Sequence, residues 1–125
     1  MLVANVIGVI LISLISNNNS TIVNAAELIC FNFINEKWYI ILFKGILCGL
    51  CITAACYAWE RDQWYITLLM VFIFVFCGMR HCIADAYYLS MCKMWAAGLL
   101  NWFCVIVGNV IGGALLPAIE RITEN

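Results

Sequence analysis

The chain has 125 residues, of which 66% are apolar and only 10% are charged, and its formal net charge is −1. Soluble domains have about 25% charged residues, and a chain with far fewer would expose large apolar patches to water. The composition therefore excludes a soluble domain and an intrinsically disordered chain. The nearly balanced charge also argues against a phosphate-binding or nucleic-acid-binding surface.

The first apolar segment comprises residues 2–16 and stops at a polar cluster that begins with Asn17. A bilayer core needs a helix of about 20 residues, so this segment is short for a crossing. A signal peptide is the alternative, but no basic residue precedes the segment and no small-residue cleavage site follows it. We interpret the segment as a membrane helix that lacks its beginning.

The next two segments differ in polarity. Residues 22–37 are mixed, which predicts an interfacial connection that could include a short helix along the membrane surface. A second span then covers residues 38–59, with aromatic residues at both ends, as at the headgroup level of membrane proteins. Lys44 lies close enough to its start to snorkel outward. The polar residues 60–63 predict a tight turn between antiparallel helices.

The third apolar segment, residues 64–92, is too long for one simple crossing. Gly78, Arg80, His81 and Asp85 interrupt its middle. Charged side chains at that depth are costly and normally face protein or a cavity. The pattern predicts a helix broken near residues 78–82.

The last span is predicted over residues 99–119. Its glycines, Gly108, Gly112 and Gly113, have a spacing that allows close contact between helices. Pro117 and the polar tail are expected to end the helix. The basic residues are spread evenly between the connections, so they predict no orientation.

The tetrapeptide NVIG occurs twice, at residues 5–8 and 109–112. In so apolar a chain the match could arise by chance. The alternative is that the first and last spans are corresponding helices of two inverted repeats. In that case residues 38–119 form one complete three-helix repeat, and two helices of the other repeat are absent.

Four motifs in order resemble those of the formate/nitrite transporter family. FKGILCGLCITAACYAW at residues 43–59 resembles the signature of the family's fourth helix, and HCIAD at 81–85 resembles the break in the fifth helix. GNVIGG at 108–113 is similar to the sixth-helix motif, and ANVIG at 4–8 to that of the third. The resemblance covers nearly the whole chain.

This resemblance implies an all-α fold, namely four membrane spans that form the third to sixth helices of a six-helix, inverted-repeat transporter. It further implies a ring of five such bundles, each with its own pore for small monovalent anions such as formate, nitrite or hydrosulfide. His81 matches the central histidine of the pore, and Phe74 and Ile52 match apolar constriction residues. The helix-packing positions are Asn5, Gly8, Gly108, Asn109, Gly112 and Gly113.

The chain departs from the family pattern at several positions. Gly49 and Asp85 each replace an asparagine, and Arg80 replaces a residue that is often glutamate. A lysine common before the fourth helix has no clear counterpart, since Phe33 or a neighbour occupies its region and Lys37 is the nearest basic residue. The family's first two helices, which supply part of the pore wall, have no match here.

His81 is the only histidine, so a proton relay near neutral pH would depend on it. The alternative is a buried imidazole that only orders the broken helix. Asp85 follows four residues later and, when ionised, would favour the imidazolium. Arg80 either adds positive charge beside the pore or pairs with Asp85. Phe74 could be a gate or ordinary packing.

The cysteine pair Cys48 and Cys51 has CxxC spacing, but the sequence lacks the further ligands of a zinc site and the histidine of a haem-attachment motif. We expect no metal, no cofactor and no enzymatic activity.

The leading hypothesis is a multi-pass protein of the inner cell membrane that passes small anions with proton coupling. Its expected partners are lipid, further copies of itself and a separate chain that supplies the two missing helices. The alternative is a non-transporting subunit, or an inactive fragment, packed on a larger partner.

Overall fold

The computed structural model describes residues 2–123. These residues form six helices and no strand, so the all-helical prediction is confirmed for this part of the chain. The helices are α1 (Leu2–Ser16), α2 (Ser20–Asn35), α3 (Trp38–Glu60), α4 (Trp64–Phe76), α5 (Cys82–Met91) and α6 (Trp95–Thr123).

The two long helices α3 and α6 form the centre of the bundle, where they run in the same direction. Their contact consists of glycines: a Cβ atom on Gly45 would lie 3.1 Å from the carbonyl oxygen of Val105, and one on Gly108 would lie 3.0 Å from the Cα of Gly45. A Cβ on Gly112 would lie 2.8 Å from the carbonyl carbon of Ile46. Side chains at these positions would push the backbones apart, so the glycines set the distance between the helices.

Both central helices are long and apolar enough to cross a membrane, whereas α1 and α4 are apolar but shorter. The outer helices bury little within the chain. No residue of α4 is buried, and Ser13 is the only buried residue of α1. Such apolar outer faces are expected for a helix bundle that has lipid or further protein around it.

The segment predicted as an interfacial connection is more regular than expected. It forms the 16-residue helix α2, which packs against α5 and α6 and buries Ala26, Cys30 and Phe33. Asn19 accepts a hydrogen bond from the backbone N–H of Thr21 at 3.1 Å and so caps its first turn. The polar residues that suggest a connection lie mainly on the other face of this helix, and the regular spacing of its buried residues is the signal for a helix.

The prediction that Pro117 ends the last helix was wrong, because α6 continues to Thr123. Proline has no N–H, so inside a helix it leaves the carbonyl of the residue four positions earlier without its usual partner. Here that carbonyl belongs to Gly113, and the hydroxyl of Thr53 on α3 donates a hydrogen bond to it at 3.3 Å. The neighbouring helix thus replaces the missing donor, as happens for prolines inside membrane helices.

The helix break predicted near residues 78–82 lies at residues 77–81, between α4 and α5. Gly78 has a φ of 62°, a left-handed conformation that glycine adopts without strain. The N–H groups of Gly78 and Met79 donate hydrogen bonds to the carbonyls of Val75 and Phe74, at 3.3 and 3.2 Å. This arrangement is a Schellman motif, which ends α4 and turns the chain into the break.

Candidate functional site

The site is built around the α4–α5 break, whose backbone is held by one side chain of α6. The amide of Asn109 donates hydrogen bonds to the carbonyls of Arg80 and Gly45, both at 2.9 Å, and its oxygen accepts one from the N–H of Cys82 at 3.0 Å. Unpaired backbone groups cost several kcal/mol each in the apolar interior of a membrane. Asn109, at the middle of α6, therefore stabilises both sides of the break and connects it to α3.

Two other residues of α6 bond to the backbone in the same way. The indole N–H of Trp102 donates to the carbonyl of Cys82 at 2.7 Å. The buried amide of Asn101 donates to the carbonyl of Phe33 at 2.8 Å and also lies within 3.5 Å of the carbonyl of Glu36. These carbonyls belong to the last turn of α2 and to Glu36, its C-cap residue. Helix α6 thus fixes both the α2–α3 connection and the start of α5.

His81 is the N-cap residue of α5 and has an extended backbone, with φ of −115° and ψ of 123°. Its side chain is half-buried, and its ring centroid lies 6.3 Å from that of Phe74 on the last turn of α4. The carbonyl of His81 accepts the N–H of Asp85 at 3.0 Å. The break thus places the imidazole beside an aromatic ring.

Four charged side chains meet beside the break. Arg80 donates to the carboxylate of Asp85 and to that of Glu36, at 3.2 Å in each case, and Lys44 of α3 also pairs with Glu36. Asp85 is 3% exposed, so its charge would be costly without the guanidinium. The formal charges of the group cancel, which lowers the cost of keeping all four inside the bundle.

The guanidinium of Arg80 also lies over the ring of Phe33, 4.9 Å from its centroid. Attraction between a cation and an aromatic face adds to the ion pairs that hold Arg80 in place.

These groups line a cavity of about 870 Å³ between α2, α3, α4 and α5. A cavity of this size has room for a small anion together with water. Both charged and apolar side chains face it. The residues of interest in its wall are Glu36, Lys44, Phe74, Arg80, His81 and Asp85.

The structure brings together some of the predicted site residues and leaves others apart. His81, Asp85, Arg80 and Phe74 lie around one cavity. Ile52 lies on α3 and is not part of the wall of this cavity, although its neighbour Cys51 contacts Met79 of the break, with 3.9 Å between the sulfur atoms.

The predicted helix-packing positions on α6 contact α3, whereas those on α1 make no close contact. Gly108, Asn109 and Gly112 make close contacts with α3, and Gly113 is looser, since a Cβ there would lie 3.4 Å from the hydroxyl of Thr53. Asn5 is exposed on α1, and a Cβ on Gly8 would meet nothing within 4 Å.

Sequence reasoning missed several residues of the site. Glu36 was treated as part of a surface connection, but it links Lys44 to Arg80. Asn101 and Trp102 were also missed. They precede Asn109 by eight and seven residues, so they lie on the same side of α6. Polar side chains within an apolar span are a signal that could have found them.

The cysteines are all free thiols and fill different environments. Cys30, Cys48 and Cys82 are buried, whereas Cys56 and Cys77 are exposed. Within residues 2–123 no three histidine, cysteine or acidic side chains are grouped closely enough to hold a metal ion.

The profile of the formate/nitrite transporter family matches residues 1–121, which is nearly the whole chain. The chain belongs to the formate/nitrite transporter family. No curated protein and no solved structure matched it. Membership agrees with the apolar helices, so the chain is a membrane protein of a transporter type.

Proposed function

We propose that this family member carries small monovalent anions, such as formate, nitrite or hydrosulfide, across the membrane together with a proton that His81 exchanges. The observation that carries the proposal is the position of His81. The ring is half-buried at the break between α4 and α5, and it lines a cavity of about 870 Å³ with Arg80 and Lys44.

The physical argument concerns the cost of removing an anion from water. A small anion that enters a narrow apolar passage loses hydration, which costs several kcal/mol, whereas its protonated form is neutral and crosses more cheaply. Imidazole is the side chain best suited to give and regain a proton near neutral pH. At the N-terminus of α5, His81 also lies where the helix dipole favours an approaching anion.

Arg80 and Asp85 act as positioning residues in this proposal. The guanidinium of Arg80 donates hydrogen bonds to Asp85 and Glu36, and the carbonyl of His81 accepts the N–H of Asp85. These bonds fix the backbone on which the imidazole stands. They also keep a positive group in the cavity wall without a net charge that would trap the anion.

The passage itself would be narrowed by Phe74, whose ring lies beside that of His81. Apolar rings can close a pore to water and hydrated ions. Ile52 is proposed as a second constriction, reached on the α3 side of the break near Cys51 and Met79. We further propose that the protein is a multi-pass protein of the inner cell membrane and acts as a homo-oligomer, with a ring of five suggested by resemblance.

Liposome flux tests the proposal. The purified chain is reconstituted, and uptake of formate, nitrite and hydrosulfide is compared with that of protein-free liposomes. We expect uptake by the wild type and at least a ten-fold loss in His81→Ala. The matched control is Leu100→Ala, a change at a 72% exposed residue of α6, which should leave uptake unchanged. Equal uptake by wild type and His81→Ala would contradict the role of His81.

A second candidate function is a membrane subunit, or an inactive fragment, that packs on a larger partner and transports nothing by itself. The observation that favours it is the large unburied apolar surface of α1 and α4. In the same liposomes this candidate predicts no uptake from the wild type. If uptake appears only after a partner is added, the chain is a subunit that transports anions in complex with that partner.

A further inference from the structure

A second cavity lies where the two central helices end. It has a volume of about 400 Å³ and is enclosed by the last turns of α3 and α6 and by the start of α4. Within residues 2–123 it shares no wall residue with the cavity beside His81. The proposed transport function therefore does not use it.

The cavity lies at the level where the membrane meets water. The polar turn at residues 61–63 joins α3 to α4 there, and the last turns of α6 line the cavity beside this turn. Trp59, Trp64 and Tyr65 flank the turn and are at least 58% exposed, as aromatic side chains at the headgroup level of a bilayer are. A molecule in the cavity would thus have one end among lipid headgroups and the other among apolar helices.

Apolar side chains form one part of the cavity wall. Ala54 and Ala58 lie one turn apart on α3, and their small side chains leave space between the three helices. The other apolar residues of the wall are Ile66, Leu116 and Ile119. The volume falls within the range of sites for small molecules, about 300–1,000 Å³. This part of the wall suits the start of an acyl chain.

An ion pair forms the other part of the wall. Nη2 of Arg61 donates to Oε1 of Glu120 at 3.4 Å, and the guanidinium lies over the ring of Tyr57, 5.5 Å from its centroid. The side chains of Arg61 and Glu120 are 62% and 41% exposed. A guanidinium has five N–H donors and a carboxylate has several acceptor positions, so one long contact does not use them up.

The charges around the ion pair indicate which headgroup fits. Arg61 presents a positive group for a phosphate, and Glu120 presents a negative group for an ammonium. Together with the adjacent Glu60, Asp62 and Arg121, these side chains have three negative and two positive charges. That balance disfavours a lipid with a net negative charge. A phospholipid that ends in a primary ammonium has both of the required groups and no net charge.

We propose that this cavity binds one molecule of phosphatidylethanolamine, with its phosphate on Arg61, its ammonium on Glu120 and the start of an acyl chain against Ala54 and Ala58. A primary ammonium has three N–H donors for the carboxylate, whereas the trimethylammonium of phosphatidylcholine has none. The site should therefore prefer phosphatidylethanolamine, although both lipids have the same net charge. This proposal does not depend on transport or on His81.

Native mass spectrometry of the full chain in detergent tests the site. Dioleoyl phosphatidylethanolamine, phosphatidylcholine and phosphatidylglycerol are added in equal amounts, so that only the headgroups differ. We expect the wild type to retain phosphatidylethanolamine about five-fold more than either other lipid, the effect of one exposed ion pair. Glu120→Gln should bind phosphatidylethanolamine and phosphatidylcholine equally. Arg61→Gln should lower the binding of both, because both have the phosphate.

Two further variants separate the cavity from a general effect of charge. Ala54→Leu fills the apolar part of the cavity without a change of charge and should lower the binding of phosphatidylethanolamine several-fold. The matched control is Glu27→Gln, the same chemical change at an exposed residue of α2, which should keep the wild-type preference. SDS-induced unfolding checks that each variant is folded.

The proposal is overturned if the wild type binds the three lipids equally, prefers phosphatidylglycerol or binds none of them. It is also overturned if the preference for phosphatidylethanolamine survives in Glu120→Gln. An oligomer that holds no phospholipid would mean that a second copy of the chain covers the cavity, and this result too would overturn the proposal.

Discussion

The central crossing, formed by α3, α6 and the break at residues 77–81, differs sharply from the outer helices α1 and α4. In the central crossing, glycines bring backbones together and Asn109 bonds the groups that the break leaves free. The outer helices are at least as apolar but bury almost nothing. The difference shows that close approach and burial in this bundle go with small residues and with polar groups that meet a partner, and not with hydrophobicity alone.

The largest effect is expected when the charged side chains beside the α4–α5 break lose their partner. Replacing Arg80 by Leu leaves the carboxylates of Asp85 and Glu36 without their guanidinium, and we expect a loss of about 3–5 kcal/mol in the free energy of unfolding. The measurement is SDS-induced unfolding in mixed micelles. The control is Arg61→Leu, which removes a pair with Glu120 that is largely exposed and should cost about 0.5 kcal/mol. Similar losses in both variants would contradict a special role of the central charges.

The second test concerns the two NVIG glycines. Gly112→Ala places a methyl group against the backbone of α3 and should destabilise the chain by about 2–3 kcal/mol through overpacking. Gly8→Ala meets open space, so its midpoint in the same unfolding titration should match that of the wild type. If both alanines are tolerated, the glycines do not set the distance between α3 and α6.

The asparagines of the two motifs give the third comparison. Asn109→Leu removes three hydrogen bonds and leaves the carbonyl of Arg80 and the N–H of Cys82 unpaired at the break, which should cost about 2 kcal/mol, near the middle of the range for such groups. Asn5→Leu should be neutral in the isolated chain. Hydrogen exchange read by mass spectrometry should also speed up at the start of α5 in Asn109→Leu only. Unchanged exchange there would show that Asn109 does not hold the break.

The smallest expected effect concerns Pro117. Thr53→Val removes the donor to the carbonyl of Gly113 and should cost about 0.6 kcal/mol, the average for interhelical hydrogen bonds in a membrane protein. In a Pro117→Ala background the new backbone N–H can bond to that carbonyl, so the loss caused by Thr53→Val should shrink. A double-mutant cycle measures this coupling. Equal losses in both backgrounds would mean that Thr53 does not compensate for the proline.

The sequence predicted what depends on local patterns. The lengths of the apolar segments predicted the positions of α1 and α3, and the charged residues near Gly78 predicted the break between α4 and α5. It failed where a distant residue decides the outcome. Pro117 stays inside α6 because Thr53, on another helix, replaces the missing donor.

The same reason explains the parts of the site that were missed. Glu36 belongs to the charged group only because α2 packs on α5 and α6, which brings the α2–α3 connection to Arg80. Asn101 and Trp102 act on carbonyls at positions 33 and 82, far away in the chain. No spacing within α6 indicates which backbone groups they meet. Binding of an anion beside the charged group of Glu36, Lys44, Arg80 and Asp85 stays a prediction.

Simultaneous measurement of anion uptake and lumenal pH in proteoliposomes is the decisive test of proton coupling through His81. Radiolabelled formate reports the anion, and a trapped pH dye reports the proton, each corrected with protein-free liposomes. We expect the wild type to acidify the lumen in step with formate uptake, and His81→Asn, which keeps a polar group of similar size, to lose the coupled acidification. Formate uptake by the wild type without acidification, or coupled acidification that survives in His81→Asn, would show that His81 does not couple the anion to a proton.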